Sequence, residues 1–213
     1  WARSHAMLPT PLDMGDGRLR IFLAFVDENT VGRIGYVDVD ARDPSRVLAV
    51  SAEPVLDIGE PGAFDDNGVN PCSVVRVGDE IWLYYVGYQL AVHIRYLLFS
   101  GLAISRDGGA TFQRHSRAPI LDRSDSELLL RSAPHVIAGG PPWRMWYVAG
   151  DQHISAGGTT RPNYNIHFIQ SDDGIHWPAK GDIVVKLKDD EYGLGRPFLA
   201  SWDGRQLMFY SVR

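Results

Sequence analysis

Apolar residues recur along this chain in short runs, each closed by a glycine- or aspartate-bearing turn and followed by an aromatic run. Three stretches superpose when started at a proline: "PCSVVRVGDEIWLYYVG" from Pro71, "PHVIAGGPPWRMWYVAG" from Pro134 and "PFLASWDGRQLMFYSVR" from Pro197. The prolines stand 63 residues apart, and a tyrosine follows each by 13 positions, at Tyr84, Tyr147 and Tyr210. A fainter copy starts at Pro9 and reaches "LRIFLAF". Each stretch is predicted to be a β-hairpin turning at "VGDE", "GGPP" or "WDGR". A second strand pair follows, from Tyr96 and again from Tyr164, with turns in "SRDGGATF" and "SDDGIHW". The N-terminal copy has "GRIGYVDVDARDP" in that place.

Each repeat therefore holds about four strands. Helical periodicity is scarce; "SDSELLLRS" at 124–132 is the best candidate for one short helical turn. Four-stranded units repeating at fixed spacing are the signature of a β-propeller, and the shared aromatic position favours it over a generic β-sandwich. The expected fold is all-β: residues 1–213 form a single propeller domain with repeats starting near Pro9, Pro71, Pro134 and Pro197. The fourth unit runs for only two strands. A propeller has to close or leave an unpaired edge, so the expectation is a longer, five-bladed domain of which this chain covers about three and a half blades.

Composition narrows the function. The chain has 213 residues and a formal net charge of −5, with no Lys/Arg cluster of nucleic-acid type, so a polyanionic partner is not expected. A sheltered basic pocket stays open, because net charge says nothing about local fields. No apolar run approaches the roughly 20 residues of a membrane span, and no signal-peptide pattern is seen at the N-terminus. With a single cysteine, Cys72, these features point to a cytoplasmic protein. The seven histidines show no metal-ligand spacing, and no cofactor is expected.

The segments "FDDNGVNPCSVV", "IWLYYVG", "GLAISRDGGATF", "RMWYVAG", "SDDGIHW" and "GRPFL" resemble the five-bladed propeller glycosidases, the clan of glycoside hydrolase family 43 with its sucrose-, fructan- and mannoside-processing relatives. "SRDGGATF" also fits the Asp-box turn of sialidases and other propellers, a structural motif on the blade edge. On that pattern Ser105, Asp107, Gly109 and Phe112 are structural, as are Ser171, Asp173, Gly174 and Trp177. The resemblance implies a carbohydrate-active enzyme, a glycoside hydrolase whose carboxylates come from different blades to one mouth of a central channel. Glycosidic cleavage needs one protonated and one ionised carboxyl flanking the bond. A non-catalytic glycan-binding propeller, a sialidase-like enzyme and a phosphorolytic enzyme are the alternatives.

Counting back six residues from the inner-strand prolines gives Asp65 and Glu191, with Leu128 between them in the repeat. Asp65 or its neighbour Asp66 is one candidate catalytic carboxylate and Glu191 the other; turn capping is the competing role for each. Arg196, directly before Pro197, is the candidate for orienting substrate. Arg20, Asp27 and Arg213 lie near predicted channel positions, and an arginine can fork two hydrogen bonds to a carboxylate, phosphate or hydroxyl pair. Asp151 and His153 stand in an apparently long loop, and His135 follows Pro134 on an inner strand. Trp82, Trp146, Tyr84, Tyr147 and Tyr210 fall at repeated strand positions and are expected in the core. Trp143, Tyr88, Tyr164 and Tyr192 fall nearer loops, where they could stack on a sugar. Two departures from the family-43 pattern stand out. The first blade offers "SHAMLPTPL" where an aspartate is wanted, and the third offers Glu127 only at a distance.

Overall fold

A computed structural model describes residues 1–156 and 158–213. Strand-forming runs alternate with glycine turns throughout, and no helix is formed among these residues. The first repeat folds as β1 (Ala6–Asp13), β2 (Arg18–Val26), β3 (Gly32–Asp40) and β4 (Val47–Val50), in that spatial order and antiparallel. The second is β5 (Val69–Val77), β6 (Glu80–Leu90), β7 (Tyr96–Ser105) and the short β8 (Gln113–Arg114). The third is β9 (Leu130–Ile137), β10 (Trp143–Ala156), β11 (Thr159–Ser171) and β12 (Asp182–Val185). The hairpin β13 (Leu194–Trp202) and β14 (Arg205–Val212) follows. The all-β repeat expected from the sequence is present as three four-stranded units and a hairpin.

The turns follow from local chemistry. Asp203 and Gly204 both have positive φ, 48° and 70°, as a two-residue type I′ hairpin requires. In "SRDGGATF" the Ser105 hydroxyl accepts the Gly109 N–H at 2.8 Å, while Asp107 accepts the Thr111 N–H at 3.0 Å and the Thr111 hydroxyl at 2.6 Å. Burial works against the ionised Asp107, but these bonds outweigh it and hold its pKa down at about 2. Ser171 and Asp173 cap the second such turn in the same way. The helical turn expected at 124–132 is not formed. Ser124 and Glu127 instead close a tight bridge through mutual backbone hydrogen bonds, and β9 starts at Leu130.

The core lies between repeats rather than within them, because the middle strands are apolar on both faces. On β6, Ile81, Leu83 and Tyr85 pack with Phe22 and Ile34 of the first repeat, whereas Trp82 and Tyr84 pack with Trp143, Met145 and Tyr147 of the third. On β10 the same alternation sends Val148 towards Tyr164, Ile166 and Leu194. Strand periodicity of two thus builds one core per interface. Each Asp-box turn also docks on the repeat before it: the Gly108 carbonyl accepts from Arg20 at 3.1 Å, and the Gly174 carbonyl accepts from the Tyr84 hydroxyl at 2.9 Å. Short parallel pairing of Leu98–Phe99 with Leu130–Arg131 joins the second repeat to the third.

Two sequence expectations shift here. Tyr210 is exposed on β14, in a hairpin where Trp202 and Phe209 are exposed as well. The structural partner of Tyr147 is Tyr85 rather than Tyr84. Both face the preceding repeat and lie opposite the inner-strand proline, Tyr85 pairing with Pro71.

Candidate functional site

The strands β1, β5, β9 and β13 are innermost and pack on one another in sequence order. Each carries a β-bulge at or just after its X–Pro dipeptide: pairing registers slip between Met7 and Thr10, between Pro71 and Ser73, opposite Ser132–His135, and between Gly195 and Phe198. Three of the four pre-proline residues have left-handed backbones: Leu8 at φ 60°, Ala133 at φ 50° and Arg196 at φ 50°. A non-glycine residue there costs about 1–2 kcal/mol, and bulges re-aim side chains at functional sites. Leu8, Asn70, Ala133 and Arg196 all face one cavity of about 800 Å3, a size suited to a small ligand.

Its floor comes from the inner strands, including Asn70, Cys72, Ser132 and Arg196. Burial pushes the Cys72 thiol up to about 12, so it is a neutral wall residue. The rim comes from the connections that antiparallel order returns to this end: the 91–95 turn between β6 and β7 and the tip of the β10–β11 hairpin. These bring His93, Arg95, Tyr96, His153, Arg161 and Tyr164, joined by Tyr88, Tyr192 and Arg213. Burial raises the Tyr88 hydroxyl to about 12 and raises Tyr164 as well, so both are neutral hydrogen-bonding and stacking groups. Arg161 lies over the Tyr192 ring at 4.8 Å and donates to its hydroxyl. No Asp or Glu lines the cavity among the described residues. None of them forms a cluster of His, Cys, Asp or Glu able to hold a metal.

Of the residues singled out in the sequence, Arg196, Tyr164 and Arg213 meet in this cavity, with Tyr88, Tyr192 and His153. The three carboxylates do not. Asp65 is fully buried and accepts from the Tyr85 hydroxyl at 2.9 Å and Arg114 Nε at 2.8 Å. Asp66 accepts the Gly62 N–H, and Glu191 accepts the Lys188 N–H. All three do structural work at the loops leading into inner strands. The third-repeat counterpart of Asp65 is Glu127. It accepts from the Tyr147 hydroxyl at 2.8 Å and from the Gly181 N–H, and it pairs with Arg131 Nε at 2.6 Å. Burial opposes ionisation of Glu127, but His167, Gly181 and Arg131 prevail and keep its pKa below the ordinary value.

The remaining candidates also lie outside the cavity. Arg20 is buried in a fork to Asp38 at 2.7 and 2.8 Å, and Asp27 caps the 27–31 turn while pairing with Arg33. Asp151 is exposed on β10. His135 is buried against Phe198, and desolvation lowers its pKa to about 4. Trp143 is buried and stacks on Trp82 at 5.4 Å rather than facing a ligand. Sequence reasoning missed His93, Arg95, Tyr96 and Arg161. The usable signal was topological: in an antiparallel unit the connection between strands two and three returns to the end where the inner strand begins.

No family model matches the chain. The uncharacterized protein Rv1502 of Mycobacterium tuberculosis is 35% identical over 214 residues, spanning 100% of this chain and 71% of that protein. The β-1,2-mannobiose phosphorylase of a Thermoanaerobacter species is 38% identical over 81 residues, 35% of this chain and 26% of that enzyme. Among solved structures, a glycoside hydrolase superposes with a TM-score of 0.73 at 18% identity, over 96% of this chain. This chain spans 65% of that structure's length, and the likeness is one of fold. The full-length match at 35% identity decides the relationship: the chain belongs to the family of the mycobacterial protein Rv1502.

Proposed function

We propose that this protein is a carbohydrate-active propeller that takes a glycan into the cavity framed by its four inner-strand corners, and that it acts there by recognition rather than by two-carboxylate hydrolysis. The observation that carries this reading is the lining: tyrosines at 88, 96, 164 and 192 around polar strand ends, with no carboxylate among the described residues. Tyrosine gives a sugar both an apolar face and a hydroxyl partner. A hydrolase of the kind first expected needs two carboxyls roughly 5–10 Å apart across the bond, whereas Asp65, Asp66 and Glu191 are committed to Tyr85 and Arg114, Gly62 and Lys188. The glycoside-hydrolase fold likeness and the match to a mannoside phosphorylase support carbohydrate as the ligand class.

A panel of glycosides, titrated calorimetrically and followed for product release, tests the reading. Binding is expected without hydrolysis. Tyr164→Ala should weaken binding about tenfold, the loss of one stacking contact worth roughly 1–1.5 kcal/mol. Asp66→Asn and Glu191→Gln should leave binding unaltered. Hydrolysis abolished by either of these two substitutions would overturn it. A second reading, phosphorolysis, is favoured by the stretch matching the phosphorylase, since phosphate as nucleophile dispenses with the second carboxylate. Release of a sugar 1-phosphate that depends on added phosphate would establish it.

A further inference from the structure

We infer that the cavity selects glycans bearing a negative charge, a carboxylate or a phosphate ester, and holds that group with Arg161, Arg196 and Arg213. This rests on the glycan reading above and adds the substrate class.

The charge distribution is the first observation. Acidic residues outnumber Lys and Arg across the chain, 26 to 21, yet among the described residues the cavity lining holds four arginines and two histidines and not one acid. Low-dielectric walls around charges of one sign focus the field on whatever occupies the space.

The second observation is how the arginines are partnered. Among the described residues, buried or half-buried arginines elsewhere are each paired with a carboxylate: Arg18 and Arg20 with Asp38, Arg33 with Asp27, Arg114 with Asp65, Arg131 with Glu127. Arg196 is half-buried and bonds only neutral oxygens, the Pro9 carbonyl at 2.7 Å and the Thr10 hydroxyl at 3.1 Å. Burial pushes its pKa down, the mark of a cation whose lost hydration has not been replaced by a counter-charge. It is also held at φ 50°, a left-handed backbone at the bulge, where the residue lines the cavity. Arg161 is oriented by the Tyr192 ring and hydroxyl and by the Thr159 hydroxyl at 3.1 Å, again without an acid. Arg213 lines the same space as Tyr88 and Tyr164. Three arginines line one space, none ion-paired with a carboxylate among the described residues, and guanidinium forks match the planar geometry of a carboxylate or the oxygens of a phosphate.

Calorimetric titration of the whole chain with matched sugars tests this. The set is a neutral methyl glycoside, its uronic acid and its 6-phosphate, with inorganic phosphate alone as a fourth ligand. At low salt the two charged sugars should bind at least tenfold tighter than the neutral one, and 0.5 M NaCl should erase most of that ratio. Arg161→Gln and Arg213→Gln, checked for fold by thermal melting, should each bring the charged-to-neutral ratio down about tenfold. Equal affinity for neutral and charged sugars would overturn the inference while leaving the glycan reading intact. If inorganic phosphate bound as tightly as the phosphosugar and the uronate gained nothing, the site would be one for free phosphate, and the inference would fail. If no sugar bound at all, the glycan reading itself would fall.

Discussion

Asp65 and Glu127 show how a carboxylate can sit at the right repeat position and be taken up by its own neighbours instead of lining the cavity. Each is buried beneath the loop that feeds an inner strand, each receives a tyrosine hydroxyl from the second strand, and each is paired with an arginine. Removing the carboxylate charge leaves a buried Arg131 or a half-buried Arg114 uncompensated. Glu127→Gln should therefore cost about 3–5 kcal/mol, read as a lower urea midpoint, and Asp65→Asn about as much. Glu191→Gln, at a half-buried turn, should cost no more than about 1 kcal/mol. Near-equal costs at all three positions would contradict the division between buried locks and turn caps. The 63-residue period was legible because prolines and aromatics recur in the letters. The direction of the Asp65 side chain was not. In a strand one residue of register decides which face is served, and the bulge beside Pro71 lies where that register slips.

At the scale of the element, the hairpins and Asp-box turns could be read directly, because an Asp-Gly or Ser-x-Asp pattern fixes its own backbone. The bulged corners could not. A residue before proline ordinarily takes an extended backbone, and nothing local marks Leu8, Ala133 or Arg196 as left-handed. The strain goes with packing the inner strands on one another, so it is a property of the assembled fold. For the same reason the repeat aligned Tyr84 with Tyr147 by counting, whereas the bulge makes Tyr85 the true counterpart. Glycine tolerates φ 50° without the cost of about 1–2 kcal/mol that a Cβ incurs, but it gives back part of this as unfolded-state entropy. Ala133→Gly should consequently stabilise the protein by about 0.5 kcal/mol, whereas Ala133→Val, β-branched at the same backbone, should destabilise it by at least about 1 kcal/mol. Paired urea melts check both signs. A destabilised glycine variant would mean that the Ala133 methyl matters more to the core it touches than the strain it carries.

For the whole molecule, repeat architecture was visible from spacing, yet the cavity was visible only in part, because every repeat contributes residues to it. Arg196 was found from its place before a repeat proline and Tyr164 from its nearness to a loop, while His93, Arg95 and Arg161 belong to rim connections with no repeating letters. The same convergence buries His135 of β9 against Phe198 of β13, so its ionisation bears on how the third repeat meets the hairpin. Its folded pKa, lowered by desolvation to about 4, lies below the unfolded value of 6.5. Between those values the unfolded chain takes up a proton that the folded chain refuses, so stability is full above pH 6.5 and is lost as pH falls towards 4. By pH 5 the loss amounts to about 2 kcal/mol. Glu127, held below its ordinary value, adds its own loss only at lower pH, when its carboxylate is finally protonated. Unfolding free energies from urea titrations at pH 7, 6 and 5 should trace this slope, and His135→Gln should remove most of it without altering the further loss at lower pH to which Glu127 contributes. If the slope between pH 6.5 and 5 persists in that variant, the acid sensitivity of this interface belongs to another group, and the buried neutral histidine is not what couples β9 to β13.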